Sequence, residues 1–389
     1  MASEHNRVEL DPPATTQPKD ERAAPPERPE QLRANDGVVQ DQLAALIQDV
    51  AGEAVSDYDA KLVRELMTAG LKLIPDGRDT GELKLMAAAM KEMRYAYRVF
   101  GEYAGTHKVT IFGSARTPAD HPDYAAAVDF SKIMGAAGWM VITGAGDGIM
   151  KAGHEGPGRQ ASFGVAIRLP FETTANEVIA GDEKLIHFRY FFTRKLMFLS
   201  QAEAVVCFPG GFGTMDECFE TLTLVQTGKA SIIPIVFVEG EPEEGHTTSG
   251  GDPKKAVANY WGGWVEFIES QLLRRGWISP DDENLYYVAK NPRDAADHVL
   301  KFYSTYHSSR YVRDDLVIRL KRPLDDKSLE TLNEEFGVLV KTGRIVQRGP
   351  YPAESDQLEL PRIAFTHTRY KYGMVRRLID RINELGAGE

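Results

Sequence analysis

The strongest constraint on the fold of this chain is a regular alternation of apolar segments with helical segments between residues 108 and 239. Near-continuous apolar segments, each followed by a stretch with helical spacing, are typical of strands that are buried on both faces. We therefore expect an α/β fold with a parallel sheet, helices on both sides and right-handed crossovers. The predicted strands are KVTIFGSA (108–115), WMVITGAG (139–146), ASFGVAIRLP (161–170), AVVCFP (204–209) and IIPIVFVE (232–239).

Small-residue turns follow three of these strands, and ligands bind to such sheets at the carboxyl ends of strands. The turns are GSAR (113–116), TGAGDGIM (143–150) and PGGFGT (209–214). The third places Gly210, Gly211 and Gly213 between a buried strand and the start of a helix. Tight glycine turns bring bare N–H groups close to a ligand, and the helix terminus adds partial positive charge. The sequence therefore predicts an anion cradle.

Composition limits the possible partners. The 389 residues suffice for one large or two medium domains, and 42% apolar with 26% charged residues is ordinary for a globular protein. A net charge of −11 argues against a nucleic-acid duplex or an anionic membrane as a partner. Two cysteines and the lack of a membrane-spanning apolar run or signal-peptide core predict a cytoplasmic protein.

The chain divides into four predicted parts. Residues 1–40 are proline-rich and charged, so we expect a disordered tail, and residues 41–104 have helical spacing throughout. The α/β domain spans 105–305, with an acidic, glycine-rich segment at 239–255 that is either a lid or a disordered insertion. Residues 306–389 predict a small α+β domain in the order β-α-β-β-α, similar to part of a ferredoxin-like or ACT-type module.

The turn GAGDGIM has the glycines of a dinucleotide site without the full spacing of that fingerprint. The fingerprint also requires an acidic residue about 20 positions further on, whereas the next strand ends in Arg168. A nicotinamide cofactor is therefore disfavoured. Two roles remain open for Gly144, Gly146 and Gly148, since they either shape the turn alone or also present backbone donors to a ligand.

Other chemistries find little support in the sequence. It contains no GxSxG or HExxH motif, and the nine histidines are scattered. We therefore expect no metal, no redox cofactor and no serine nucleophile. Ser114 follows a glycine at a strand end, where it either contacts a phosphate or satisfies local backbone groups. His154 and His187 fall near the predicted site without an assigned role.

Two charged positions each allow two interpretations. Arg194 and Lys195 lie on the helix before AVVCFP, where Arg194 either holds a phosphate or ribose oxygen or forms a surface ion pair. Glu217 follows the glycines on the next helix. It either closes a capping box with Thr214 or places a carboxylate near a bound sugar. Residue spacing does not separate these alternatives.

Two motifs carry a family resemblance. PGGFGTMDE (209–217) resembles the PGGxGTxxE signature of the LOG (Lonely Guy) family of nucleoside monophosphate phosphoribohydrolases, and TRKLMF (193–198) resembles the family's upstream RKxxM element. The resemblance covers about residues 105–305. It implies a Rossmann-like fold, a homo-oligomer of two or more copies with a neighbouring subunit close to the site, and hydrolysis of purine nucleoside 5′-monophosphates. The sequence departs from the family pattern at Phe198 and Ala145, and both positions are expected on the pocket wall.

The resemblance also implies roles for individual residues. Arg194 and Glu217 correspond to the catalytic pair, and no cofactor is needed. AMP or a cytokinin riboside 5′-monophosphate is the implied substrate, and a second acid, Asp147 or Glu220, is a candidate helper. A nucleotide-binding sensor without activity is the alternative. The residues expected to bind substrate are Ser114, Gly144, Gly146, Gly148, Lys195, Gly210, Gly211, Gly213 and Thr214.

Overall fold

The computed structural model describes residues 33–52, 55–168, 175–241 and 260–386. Most of the tail expected at 1–40 and most of the insertion expected at 239–255 lie outside these residues. None of the helices in the described part is long and apolar enough to cross a membrane. The described residues fall into two compact units that divide between Lys91 and Glu92.

The described residues of the first unit form helices and the turns between them. Its helices are α1 (Gly37–Ala51), α2 (Asp57–Lys72) and the first part of α3 (Thr80–Gly101). The hydroxyl of Ser56 starts α2 by accepting a hydrogen bond from the backbone N–H of Asp59 at 3.1 Å. The division between the units lies inside α3, whereas the sequence places the domain boundary at 104.

The second unit contains a seven-stranded parallel sheet with the order β4-β3-β2-β1-β5-β6-β7. This is the expected Rossmann-like, doubly wound sheet. Its strands are β1 (Lys108–Phe112), β2 (Met140–Thr143), β3 (Ser162–Ile167), β4 (Leu185–Phe188), β5 (Ala204–Cys207), β6 (Ile235–Phe237) and β7 (Tyr287–Val288). The helices around it are α4 (Pro122–Ala136), α5 (Ile149–Glu155), α6 (Phe191–Ser200), α7 (Phe212–Gln226), α8 (Tyr260–Phe267) and α9 (Pro292–Phe302).

The two edge strands, β4 and β7, are absent from the sequence prediction. β7 has only two residues, and β4 carries the exposed His187 in its four-residue run. The central strands β1, β2 and β5 are buried along their whole length. Central strands therefore show the continuous apolar signal of a parallel sheet, and short edge strands do not.

The C-terminal part is a four-stranded antiparallel sheet with two helices. Its elements are β8 (Tyr306–Val312), β9 (Asp315–Leu320), α10 (Asp326–Phe336), β10 (Val340–Arg348), β11 (Arg362–His367) and α11 (Tyr372–Gly386). The sheet order is β10-β11-β9-β8, so β11 lies between β9 and β10 as in a split β-α-β unit. β8 is an additional strand that the sequence analysis missed, because YHSSRYV is mostly polar.

Helix α11 attaches this sheet to the α/β domain. Its buried residues Val375, Leu378, Ile379 and Ile382 follow helical spacing and form one apolar face. At its start, Gly373 packs so closely on the carbonyl of Asp281 that an added Cβ would lie 1.9 Å from the oxygen. The C-terminal sheet is therefore joined to the α/β domain by backbone packing as well as by apolar contacts.

A buried ion cluster stabilises the C-terminal sheet. Glu354 Oε1 accepts hydrogen bonds from Arg319 Nη2 at 2.8 Å and from Arg362 Nη1 at 2.6 Å. The side chains of Glu354 and Arg362 are fully buried. If this carboxylate is removed, the buried Arg362 loses its anionic partner, whereas Arg319 keeps Asp356 Oδ2 at 2.8 Å. The loss of Glu354 therefore leaves buried positive charge without full compensation.

We expect Glu354→Leu to lower the free energy of unfolding by about 3 to 5 kcal/mol, because two buried guanidinium groups lose their shared carboxylate. Urea denaturation followed by circular dichroism measures this difference. The control is Glu330→Leu, which removes the exposed pair with Arg344 and is expected to change stability by less than about 1 kcal/mol. Equal effects of the two substitutions would contradict the assignment.

Candidate active site

The candidate site lies where the sheet order reverses, between β1 and β5. Loops that leave the sheet on either side of such a point diverge and open a crevice at the carboxyl ends of the strands. Here the loops after β1 and β5 are joined by a hydrogen bond from Ser114 N to Pro209 O at 3.1 Å. Ser114 O accepts from Ile149 N at 3.0 Å, which attaches the turn after β2 to the same point. The three predicted small-residue turns therefore meet.

The glycine loop after β5 is shaped by one close approach. A Cβ on Gly210 would lie 2.1 Å from Thr214 Oγ1 and 3.0 Å from Ser114 N, so only glycine fits. Gly211 is the N-cap of α7 and provides no side-chain cap. A Cβ at Gly211 or Gly213 would meet nothing within 4 Å. The first N–H groups of α7 therefore lack intrahelical acceptors and stand beside open space, which is the geometry of an anion site.

The capping-box interpretation of Thr214 and Glu217 is wrong. Helix α7 begins at Phe212, so Thr214 is already its third residue, and no acidic residue lies in the first turn. The helix starts early because Gly211 adopts the extended cap conformation in place of the threonine. Thr214 is instead buried against Gly210. Glu217 lies in the second turn, where a capping role is no longer available to it.

Arg194 reaches the crevice from α6. Its Nε donates to Val165 O at 2.8 Å, and its Cζ lies 5.1 Å from the centre of the Phe198 ring. A Cβ on Gly144 would lie 2.5 Å from Arg194 Nη2. Gly144 therefore leaves room for the guanidinium, which explains the small residue at this position. The departure from the family pattern at Phe198 supports the arginine, because the buried ring faces the guanidinium.

Glu217 is a buried carboxylate, with 8% of its surface exposed. Burial raises its pKa to about 7, while Lys195 and Arg194 oppose this shift and Glu220 and Asp216 add to it. Arg194 and Glu217 are thus close enough to interact electrostatically, as the sequence predicts. A carboxylate with a pKa near neutrality is what an acid–base or charge-stabilising role requires.

Lys195 contacts the helix that follows the glycine loop. Its Nζ forms ion pairs with Asp216 Oδ2 at 2.7 Å and with Glu220 Oε2 at 2.9 Å. These contacts join α6 to α7. Glu220, one candidate for the second acid, is therefore ion-paired with Lys195. Asp147, the other candidate, has an exposed side chain.

The turn after β2 is held by a buried polar network that the sequence analysis did not identify. His154 Nε2 lies 2.9 Å from Thr143 Oγ1 and 3.0 Å from Phe163 O, and His154 Nδ1 lies 3.2 Å from Asn176 Nδ2. Asn176 Nδ2 also donates to Gly146 O at 3.0 Å. Burial lowers the pKa of His154, which favours the neutral ring. His154 is therefore a structural residue.

Backbone conformation in this turn is unusual at two positions. Ala145 has a φ of 64° and Gly148 a φ of 58°. A Cβ at Gly148 would lie 2.3 Å from Ser114 O, so this glycine is required, whereas Ala145 accepts the left-handed conformation and packs on Ala166 and Ile179. The replacement of a family glycine by Ala145 therefore fills a small apolar cluster.

Ser114 uses its side chain locally. Its Oγ accepts a hydrogen bond from Arg116 N at 3.0 Å, as turn serines commonly do. His187 lies on β4, and partial desolvation of its ring, followed by the charge of Arg168, lowers its pKa. Among the residues that the structure describes, no three His, Cys, Asp or Glu side chains lie together as metal ligands.

Tyr260 is a second residue that the sequence analysis missed. Its hydroxyl donates to Gly210 O at 2.5 Å, and its backbone N–H donates to Glu239 Oε2 at 2.9 Å. It lies 50 positions after Gly210 in the chain, and no local pattern marks the contact. Tyr260 is therefore a second hydrogen-bonding contact to the glycine loop, in addition to that of Ser114 N with Pro209 O.

The proton affinity of Glu217 predicts an unusual stability effect. A folded-state pKa of about 7 against about 4.3 in an unfolded chain means that stability is lost as the pH rises between these values. We expect Glu217→Gln to be more stable than the wild type by up to about 3 kcal/mol at about pH 8 and equally stable at about pH 4. Urea denaturation at both pH values measures this, and a loss of stability at about pH 8 would contradict it.

Removal of the Tyr260 hydroxyl tests the anion cradle. We expect Tyr260→Phe to weaken the binding of inorganic phosphate by about 2- to 10-fold, because the loss of one hydrogen bond lets the glycine loop relax. Isothermal titration calorimetry measures the dissociation constant. Tyr370→Phe, at an exposed position after β11, is the control and should leave it unchanged. Equal affinities in all three proteins would exclude this role for Tyr260.

Comparison with known proteins gives one family match. Residues 144–299 match the family described as possible lysine decarboxylase. No curated protein sequence matches the chain. The matched span contains two of the three turns, all of α6 and α7, and both sequence motifs.

Several solved structures were also matched. They include a molybdenum cofactor binding protein from Rippkaea orientalis (16% identity, 50% of this chain and 96% of that chain, TM-score 0.33) and the molybdenum cofactor carrier protein from Chlamydomonas reinhardtii (16%, 50% and 97%, TM-score 0.32). DNA processing protein A from Streptococcus pneumoniae also matches (10%, 69% and 95%, TM-score 0.34). These TM-scores are too low to support a functional argument. The family match and the two motifs coincide: residues 144–299 of this chain are similar to that family, and both PGGFGTMDE and TRKLMF lie within them.

Proposed function

We propose that this protein hydrolyses the N-glycosidic bond of purine nucleoside 5′-monophosphates. AMP or a cytokinin riboside 5′-monophosphate is the substrate, and the products are the free base and ribose 5-phosphate. The observation that carries the proposal is the meeting of an anion cradle with a buried carboxylate and a guanidinium at one point of the sheet. A phosphate site adjacent to a charge-stabilising carboxylate suits a phosphorylated sugar as substrate.

The proposed roles follow from position. The N–H groups at the start of α7 hold the 5′-phosphate, and Arg194 holds a phosphate or ribose oxygen. Glu217, in its ionised form, positions a water molecule and stabilises positive charge on the ribosyl carbon as the bond to the base breaks. The water oxygen then bonds to that carbon, one water proton goes to the departing base, and no electron transfer occurs. Fixed donors and a held phosphate favour the reaction by orientation.

The family description also names a decarboxylase, which usually implies a pyridoxal cofactor. Such an enzyme needs a lysine whose amine is neutral enough to form a Schiff base. Lys195 is the lysine at this site in the described part of the chain. Burial lowers its pKa, but hydrogen bonds from its ammonium to Asp216 and Glu220 more than compensate and raise it. These residues do not fit a pyridoxal site.

We further propose a cytoplasmic homo-oligomer, a dimer or higher, that acts on a small-molecule nucleotide without a membrane or nucleic-acid partner. Both cysteines are buried free thiols, which supports a reducing compartment. The net charge of −11 supports the absence of a polyanionic partner.

A product assay tests the reaction. The protein is incubated with AMP, GMP and N6-prenylated AMP, and free base is separated by chromatography. We expect base release by the wild type and a fall of about 10²- to 10⁴-fold in kcat for Glu217→Gln, because the charge that stabilises the ribosyl centre is lost. Glu334→Gln, on the exposed face of α10, is the matched control and should retain full activity.

Each outcome of this assay has a clear meaning. Measurable nucleotide binding without base release from any monophosphate would reject the enzyme and favour a nucleotide-binding sensor. Base release that is equal in the wild type and Glu217→Gln would retain the reaction and reject the assigned carboxylate.

A further inference from the structure

Two acidic side chains of α7 pair with one ammonium group of α6. Lys195 Nζ lies 2.7 Å from Asp216 Oδ2 and 2.9 Å from Glu220 Oε2, and these two acids flank Glu217 along the helix, so that the lysine charge also acts on Glu217. Only 15% of the lysine side chain is exposed. Exposed ion pairs contribute little to stability, but charges that are shielded from water interact strongly. The lysine is therefore placed to affect the carboxylate next to its partners.

We propose that Lys195 is a positioning residue for Glu217: it joins α6 to α7 through Asp216 and Glu220, and its charge favours the ionised form of the Glu217 carboxylate beside the glycine loop. This inference rests on the proposed function, in which the ionised carboxylate is the active form. Lys195 acts through Glu217 and does not contact the substrate.

The charges around Glu217 support this role. Two cations on α6, Lys195 and Arg194, favour its ionised form, and two acids on α7, Glu220 and Asp216, disfavour it. From β5, the neighbouring Cys207 has a thiol whose pKa is raised, so it is neutral and adds no charge. Lys195 has the larger effect of the two cations. Without Lys195, burial and the two acids of α7 would raise the Glu217 pKa, and Arg194 alone would lower it.

The same contacts argue against Lys195 as a phosphate ligand. Its ammonium is already shared between two carboxylates, and the Glu220 oxygen that it contacts is buried. A phosphate would have to displace these carboxylates, whereas the N–H groups of the first turn of α7 have no intrahelical acceptor. The adjacent Arg194 faces Gly144 on the other side of α6. Arg194 therefore belongs to the crevice, whereas Lys195 belongs to the interface between α6 and α7.

The pH dependence of kcat/KM for AMP tests the proposal. Activity of the wild type should rise with pH through a midpoint near the Glu217 pKa of about 7, since the ionised form is active. Lys195→Met should move that midpoint upward by about one pH unit, because an opposing cation is removed. Glu220→Gln should move it downward, because a like charge is removed. Lys195→Arg should restore the wild-type midpoint.

The control is Lys151→Met, which removes a lysine that pairs with Glu177 from α5 and is expected to leave the midpoint unchanged. A lysine that served only to hold the helices together would behave differently. Lys195→Met would then lower activity by the same factor at every pH, with no shift of the midpoint, and that result would overturn the inference.

A second measurement does not depend on hydrolysis. In protein labelled with ¹³C at the glutamate carboxyl groups, the Glu217 resonance is the one that disappears in Glu217→Gln. Its NMR titration midpoint should be higher in Lys195→Met than in the wild type. If the wild type releases no base, the proposed function fails while this titration still tests Lys195. Equal Glu217 midpoints in the two proteins would reject the inference. Lys195→Gln replaces the methionine variant if that protein does not fold.

Discussion

The pairing of β1 with β5 is the contact on which the rest of the site depends. The two strands run parallel in register from Val109 opposite Ala204 to Phe112 opposite Cys207. Since the sheet order reverses here, the loops that follow these strands open a crevice, and the chain reaches β5 through α6. That crossover carries Arg194 to the same edge of the sheet as the glycine loop. One topological feature, the reversal of the sheet order, therefore places the glycine loop and the guanidinium at the same edge of the sheet.

The proposed reaction depends on a carboxylate whose ionised form is disfavoured by folding. Burial of Glu217 disfavours its charge, and the cations of α6 offset part of this cost. Sites that retain such a group give up stability for reactivity, which is why perturbed pKa values cluster where chemistry occurs. The buried cluster around Glu354 is the opposite case, because a carboxylate there is shared by two arginines and serves the fold alone.

Elements marked by a local pattern of residues were predicted correctly from the sequence. Continuous apolar runs identified five of the seven strands of the parallel sheet, and the missing ones, β4 and β7, are short edge strands. The glycine loop was recognised from neighbouring letters alone. The capping box failed because the letters of Thr214 and Glu217 fit a cap, but the helix starts at Phe212. Tyr260 and Asn176 were missed because each contacts a turn that is distant in the chain.

The sequence by itself determined the parallel α/β sheet, the glycine loop after β5 and the presence of Arg194 and Glu217 on the helices beside it, because apolar periodicity and glycine turns depend on consecutive residues. Only the tertiary structure decided what each charge does. In the folded chain, Arg194 lies against Gly144 in the crevice and Lys195 pairs with acids of α7. Glu217 is buried and interacts electrostatically with both. The reason is physical: the pKa and orientation of a side chain depend on the dielectric and the charges around it, and these come from elements that meet only when the chain folds.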